Sequence, residues 1–100
     1  MIVERIDNFL NEGQPEPDEI KSIWDNGGKT IDRYTVILHS KSGKYYDSFG
    51  LSDNPEHPQG FSQYGEALEG SHLGRKIKWN QLPIKVQNHV IDRLRESYDD

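Results

Sequence analysis

Cysteine is absent from this 100-residue chain. That absence excludes a disulfide framework, a thiolate metal site and a catalytic thiol, and makes a reducing cytoplasm the natural compartment. Nor is there a run of about 18 apolar residues that could span a membrane as a helix. The first residues, Met1-Ile2-Val3-Glu4-Arg5-Ile6-Asp7, are charged from the outset and lack the basic start and apolar stretch of an export signal. Large apolar side chains are sparse as well: Leu, Ile, Val and Phe make up less than a quarter of the chain. That is just above the ~20 per cent below which disorder is expected, so one small core can form and a second domain cannot. Positive charge is also short, with 12 Lys and Arg against 17 Asp and Glu and a formal net charge of −5. A surface of that sign gains nothing from a nucleic-acid backbone or an anionic membrane, which leaves a protein as the expected partner.

Ile2, Ile6, Phe9 and Leu10 recur at three- and four-residue steps, which predicts a short amphipathic helix over residues 2–12. Residues 13–19 follow as a linker, because Pro15 and Pro17 cannot continue a helix. From Ile20 the texture changes to strand and ends at Asp25, before the turn-forming Asn26-Gly27-Gly28. Residues 30–39 are the strongest strand of the chain. Tyr34, Val36 and Leu38 share one face and Thr35, Ile37 and His39 the other, so both faces should be at least partly covered. Ser40-Lys41-Ser42-Gly43-Lys44 reads as a hairpin connection to a returning strand over residues 45–51, with Tyr45, Asp47, Phe49 and Leu51 on one side. From Ser52 to Gly74 no period of 2 or 3.6 is sustained, which reads as a long central loop with room for one helical turn near Gly65 to Leu68. Arg75 to Trp79 alternates again with Ile77 and Trp79 inward. Pro83 then opens a final helix whose apolar stripe is Val86, Val90, Ile91, Leu94 and Tyr98. The expected architecture is α+β: an antiparallel sheet of about four strands packed by the C-terminal helix, with the N-terminal helix and the central loop added. Residues 20–100 would carry the sheet and that last helix.

Gly28-Lys29-Thr30 invites comparison with a phosphate-binding loop. That motif needs a glycine where Ile23 stands, and a helix where the chain reads as strand, so a hairpin turn is preferred. His39, His57, His72 and His89 offer no i, i+4 pair for a helical metal site. A metal would have to be assembled from His57, His72 and Asp47 or Asp53, a set the residue types permit and no spacing requires; no metal or other cofactor is expected. A G-x-S-x-G nucleophile elbow is missing, and Asp25, Asp32, Asp47, Asp53 and Glu56 stand at strand ends or in loops, where solvated turn residues sit. Arg33, between Asp32 and Tyr34, either pairs with a neighbouring strand, the preferred reading, or presents its guanidinium to a carboxylate or phosphate.

The stretch from Leu51 to Tyr64 is the best functional candidate. It gathers Asp53, Asn54, His57 and Gln59 around two stiffening prolines, with Phe61 and Tyr64 able to pin it to the body. Together with Asn26 and Arg33 these residues form the candidate binding surface. An Ω-like loop packed on its own side chains is the alternative of equal weight.

Three segments also carry a resemblance: Asp25-Asn26-Gly27-Gly28-Lys29-Thr30-Ile31-Asp32-Arg33-Tyr34-Thr35-Val36, then Gly50-Leu51-Ser52-Asp53-Asn54-Pro55, then His57-Pro58-Gln59-Gly60-Phe61. With the Lys76-Ile77-Lys78-Trp79 strand and Leu82-Pro83, the chain from Asp25 to Val90 resembles a family of small proteins of tailed bacteriophages, prophages and bacterial mobile elements. The resemblance implies that setting and no particular reaction, so no catalytic residue is carried over.

The expectation is therefore a non-catalytic accessory factor that binds a host or phage macromolecule in the host cytoplasm. The alternative is a small enzyme or ligand-binding domain, with Asp25, Arg33, Asp47, Asp53, Asn54, His57, Gln59 and Tyr64 lining one polar pocket. An oligomer built on exposed aromatics is a third reading, and the sequence leaves the oligomeric state open.

Overall fold

The computed structural model describes residues 14–54 and 63–98, apart from the side chains of Gln63, Tyr64, Ser97 and Tyr98. The helix expected over residues 2–12 lies outside the described residues, as do His57, Gln59 and Phe61.

Alternation of apolar and polar residues yields one antiparallel sheet. Its strands are β1 (Ile20–Asp25), β2 (Tyr34–Ser42), β3 (Tyr45–Leu51), β4 (Gln63–Ala67) and β5 (Arg75–Ile77), in the spatial order β4-β3-β2-β1-β5. Register aligns Phe49, Val36, Ile23 and Ile77 across four strands. Against that row packs the one α-helix among the described residues, α1 (Ile84–Tyr98), through Val86, Val90 and Leu94. All of these side chains are buried, and burial of each Val, Leu, Ile or Phe contributes roughly 1.5–3 kcal/mol. Tyr34, Leu38, Leu51, Trp79 and Leu82 complete the core. The fold class is α+β, as the order of strands followed by a helix implies.

The sheet has five strands where about four were expected, and the difference lies in the segment read as a loop. Residues 63–67 form β4, not a helical turn, and Ser71–Leu73 form a 3₁₀ turn. This five-residue strand, with Gly65 at its centre, shows little apolar alternation and has no described strand beyond it in the sheet. The chain must then travel from β4 at one edge to β5 at the other, four strand spacings or about 19 Å. Since α1 occupies one face, residues 68–74 cross the other: Glu69 sits beside Lys21, at 3.6 Å, and beside Ser22. On this reverse face Ser22, beside Glu69, is buried, as are Ile37 and Ser48, which align with it across the strands.

Two boundaries are shorter than the alternation suggests. β5 ends at Ile77, because Trp79–Gln81 turns into a 3₁₀ helix that keeps Trp79 inward without extending the strand. The β2–β3 hairpin closes on Gly43-Lys44 alone, with Ser42 opposite Tyr45. Positive φ at Gly43 (69°) without a positive partner fits a two-residue turn that needs glycine first.

Candidate functional site

The β1–β2 connection is built by two Asx side chains. Asp25 Oδ1 accepts the Gly27 N–H at 2.8 Å, and Asn26 Oδ1 accepts the N–H groups of Gly28 (2.8 Å) and Lys29 (3.1 Å). Gly27 and Gly28 take φ of 79° and 87°, which only glycine adopts at little cost. The Asn26 amide donates to Thr30 Oγ1 (2.9 Å) and to the Asp32 carbonyl (3.1 Å), so one side chain fixes both ends of the loop. The loop amides that could have cradled a phosphate are thus spent on the Asp25 and Asn26 side chains.

Arg33 closes the structure. Its Nε and Nη2 donate to Asp25 Oδ1 and Oδ2 at 2.8 and 3.2 Å, and its Nη1 lies 3.6 Å from Asp53 Oδ2. Of the two readings of Arg33, the pair with a neighbouring strand is the one seen, and the partner is the last residue of β1. The Asp25 side chain is only 11% exposed, that of Asp53 60%, so the first contact is structural and the second is open to exchange. The Arg33 guanidinium beside Asp25 holds its carboxyl below the usual range, and the same contact raises Arg33 further above its already high value. Burial pushes the Tyr34 hydroxyl up, against the pull of Arg33, whose guanidinium lies 5.3 Å from the ring centre.

Around this pair runs a cleft of about 610 Å³, lined by Gly28, Lys29, Thr30, Ile31, Arg33, Ser52 and Asp53. Its two hydroxyls are committed to backbone carbonyls: Thr30 Oγ1 donates to Asp32 (3.1 Å) and Ser52 Oγ to Asn54 (2.6 Å).

Of the expected binding residues, Arg33 and Asp53 meet in the cleft, Asn26 holds its floor by hydrogen bonds, and exposed Asn54 follows Asp53 at its rim. Tyr64 has its backbone in β4, opposite Phe49. Ile31 lines the cleft although no sequence pattern singles it out, Lys29 and Thr30 line it without forming a phosphate loop, and Ser52 lines it from the start of the candidate 51–64 stretch. An Asp-Asn-Gly-Gly run at a strand end is the signal that marks such a side-chain-capped loop. Asp47, a proposed pocket or metal residue, instead accepts Ser40 (2.7 Å) and Ser42 (3.0 Å) on the β2–β3 hairpin. Among the described residues no three His, Asp or Glu side chains gather as a cation requires.

No family model matches this chain. No solved structure matches it either. The chain is similar to a protein described as PBAN-type neuropeptides, from Apis mellifera, with 26% identity over 97 residues. The likeness covers 95% of this chain and 50% of the other, so the chain spans about half the length of that relative. No helix among the described residues is long and apolar enough to cross a membrane.

Proposed function

We propose that this chain is a non-catalytic binding module whose contact surface is the cleft between the β1–β2 loop and the residues after β3. The observation that carries the reading is the division of labour at Arg33: Asp25 locks two of its nitrogens, and the third faces only an exposed carboxylate across the cleft. A cation fixed before contact, with an exchangeable outer partner, suits recognition of a carboxylate on a protein, because little side-chain entropy is lost on binding. Exposed Ile31 supplies an apolar contact on the same rim and Lys29 a second cation.

Catalysis fits the cleft less well. Its hydroxyls donate to backbone carbonyls rather than to a base, Arg33 stays charged, and the lowered Asp25 is a poorer proton acceptor than an ordinary carboxylate. The setting in this proposal is that of the resembled phage and mobile-element family, whose Asp25–Val36 segment is the one that builds the loop, and the partner is a host or phage protein.

Capture from bacterial lysate at low salt, with wild type beside Lys29→Glu and Asp53→Lys, tests the reading. Both side chains are exposed, so the fold survives the change. A protein held by wild type and lost by Lys29→Glu supports the cleft; no partner above background, or equal capture by all three, overturns it.

A further inference from the structure

At the other end of β1 the surface reverses the sign of the whole molecule. A groove of about 460 Å³ runs beside the β5 edge, walled by Lys21, Lys76 and Lys78 against one acid, Glu16, and floored by Ile23, Ile77 and Trp79. Three of the chain's 12 Lys and Arg line this groove although the net charge is −5, whereas Arg75, at the far end of β5, stands opposite Asp25. Glu69 offsets part of this positive charge through Lys21, at 3.6 Å, and through the longer-range attraction of Lys76. Lys76 and Lys78 are exposed and have no ion-pair partner among the described residues.

The backbone makes the groove more than a charged patch. β5 is an edge strand, paired with β1 on one side and with no described strand on the other. Such an edge can take an added strand, main-chain bonds giving affinity and alternate side chains giving specificity. Three-residue length and lysines are also the ordinary devices that keep an edge from pairing with a copy of itself. Here they repel another basic edge and leave an acidic one welcome. A long polyanion would meet the repulsion of the remaining surface, whereas a short peptide brings only a few charges and a backbone to pair.

We infer that the β5 edge is a second docking surface, separate from the Arg33 cleft, and that it receives an acidic peptide in extended conformation as an added strand. Acidic side chains of the peptide face Lys76, Lys78 and Lys21, and an apolar one enters the groove over Ile77 and Trp79.

The probe is a short fluorescein-labelled peptide of alternating Glu and Val, followed by anisotropy at low ionic strength against the whole chain. Saturable binding is expected, weakened about tenfold or more by Lys76→Glu with Lys78→Glu and by added salt. Lys44→Glu with Lys85→Glu makes the same change of charge at exposed sites elsewhere and should leave binding within about twofold. Asp53→Lys, in the cleft, should have no effect, so this site and the cleft fail independently. Absence of saturable binding, equal loss in both double variants, or equal affinity for the peptide with Lys in place of Glu overturns the inference. So does tighter binding of a single-stranded oligonucleotide through the same lysines.

Discussion

Arg33 grips Asp25 side-on, Nε to Oδ1 at 2.8 Å and Nη2 to Oδ2 at 3.2 Å, joining the residue that ends β1 to the one that precedes β2. Backbone bonds bracket the same joint, from Asn26 N–H to the Arg33 carbonyl at 2.9 Å. The pair therefore sets both the loop that forms the cleft and the entry of the central strand.

Acid should loosen this joint. The folded state holds the Asp25 carboxyl below its ordinary value, chiefly through the Arg33 hydrogen bonds, so the folded form binds the proton less readily than the unfolded chain. The contribution is full above the ordinary value of about 3.9 and is lost as pH falls through the lowered folded value. Asp25→Asn should cost about 1–2 kcal/mol at neutral pH and flatten part of the acid limb in urea melts. Glu69 contributes with the same sign, its carboxyl being lowered by the Ser22 hydroxyl and by Lys21 and Lys76. An acid limb unchanged by Asp25→Asn would show the pair to be inert.

Gly74 and Gly43 both have positive φ but should respond differently to alanine. At Gly43 (φ 69°) a Cβ meets nothing within 4 Å, so Gly43→Ala should cost about 1–2 kcal/mol, the left-handed backbone penalty. At Gly74 (φ 109°) a Cβ would stand 2.2 Å from the Asp25 carbonyl oxygen and 2.6 Å from Asn26 Cα. Backbone must move there, so Gly74→Ala should cost roughly 3 kcal/mol or more and disturb the cleft loop as well. Thermal melts of the two variants, with amide shifts of Gly27 and Gly28 as the local report, decide the matter.

Gln87, 1% exposed on α1, is the buried polar hub of the core. Its Nε2 donates to the Trp79 and Leu82 carbonyls at 3.1 and 3.2 Å, and its Oε1 accepts the Gln14 N–H at 3.1 Å. The Gln14 carbonyl in turn accepts the Trp79 indole N–H, so residues on either side of the sheet sequence are tied to one point. Gln87→Leu keeps the volume but takes the Gln87 partner from the Leu82 carbonyl and the Gln14 N–H, while the Trp79 carbonyl keeps the Leu82 N–H, which should cost about 2–3 kcal/mol. Faster hydrogen exchange at the Gln14 amide is the specific signature, and unchanged protection there would refute the tie.

Asp53→Asn should scarcely move the melting temperature, because its side chain is 60% exposed and its contact to Arg33 is long, at 3.6 Å. It should instead sharpen the response of the Arg33 side-chain NMR signals to added acetate, since the competing carboxylate is gone. Identical responses in the two proteins would argue against an exchangeable outer site.

Local pattern settled a large part of this protein. Tyr34-Thr35-Val36-Ile37-Leu38 has strand character on both faces, and Val86, Val90, Ile91 and Leu94 recur at helical spacing, so three long strands, the last helix and its inward face follow from periodicity alone. The Asp25-Asn26-Gly27-Gly28 run likewise announces a turn by its chemistry. Tertiary structure decided the rest. β4 exists because β3 offers it a partner, not because Gln63-Tyr64-Gly65-Glu66-Ala67 prefers a strand. The need for glycine at Gly74 arises only where it meets Asp25 and Asn26, about fifty residues away in the chain. The sequence favours a structural pairing for Arg33 without naming its partner, and only the sheet brings Asp25 and Asp53 to opposite sides of it. Periodicity records which side of an element turns from water, whereas pairing, close approach and shared charge depend on neighbours that only the folded chain brings together.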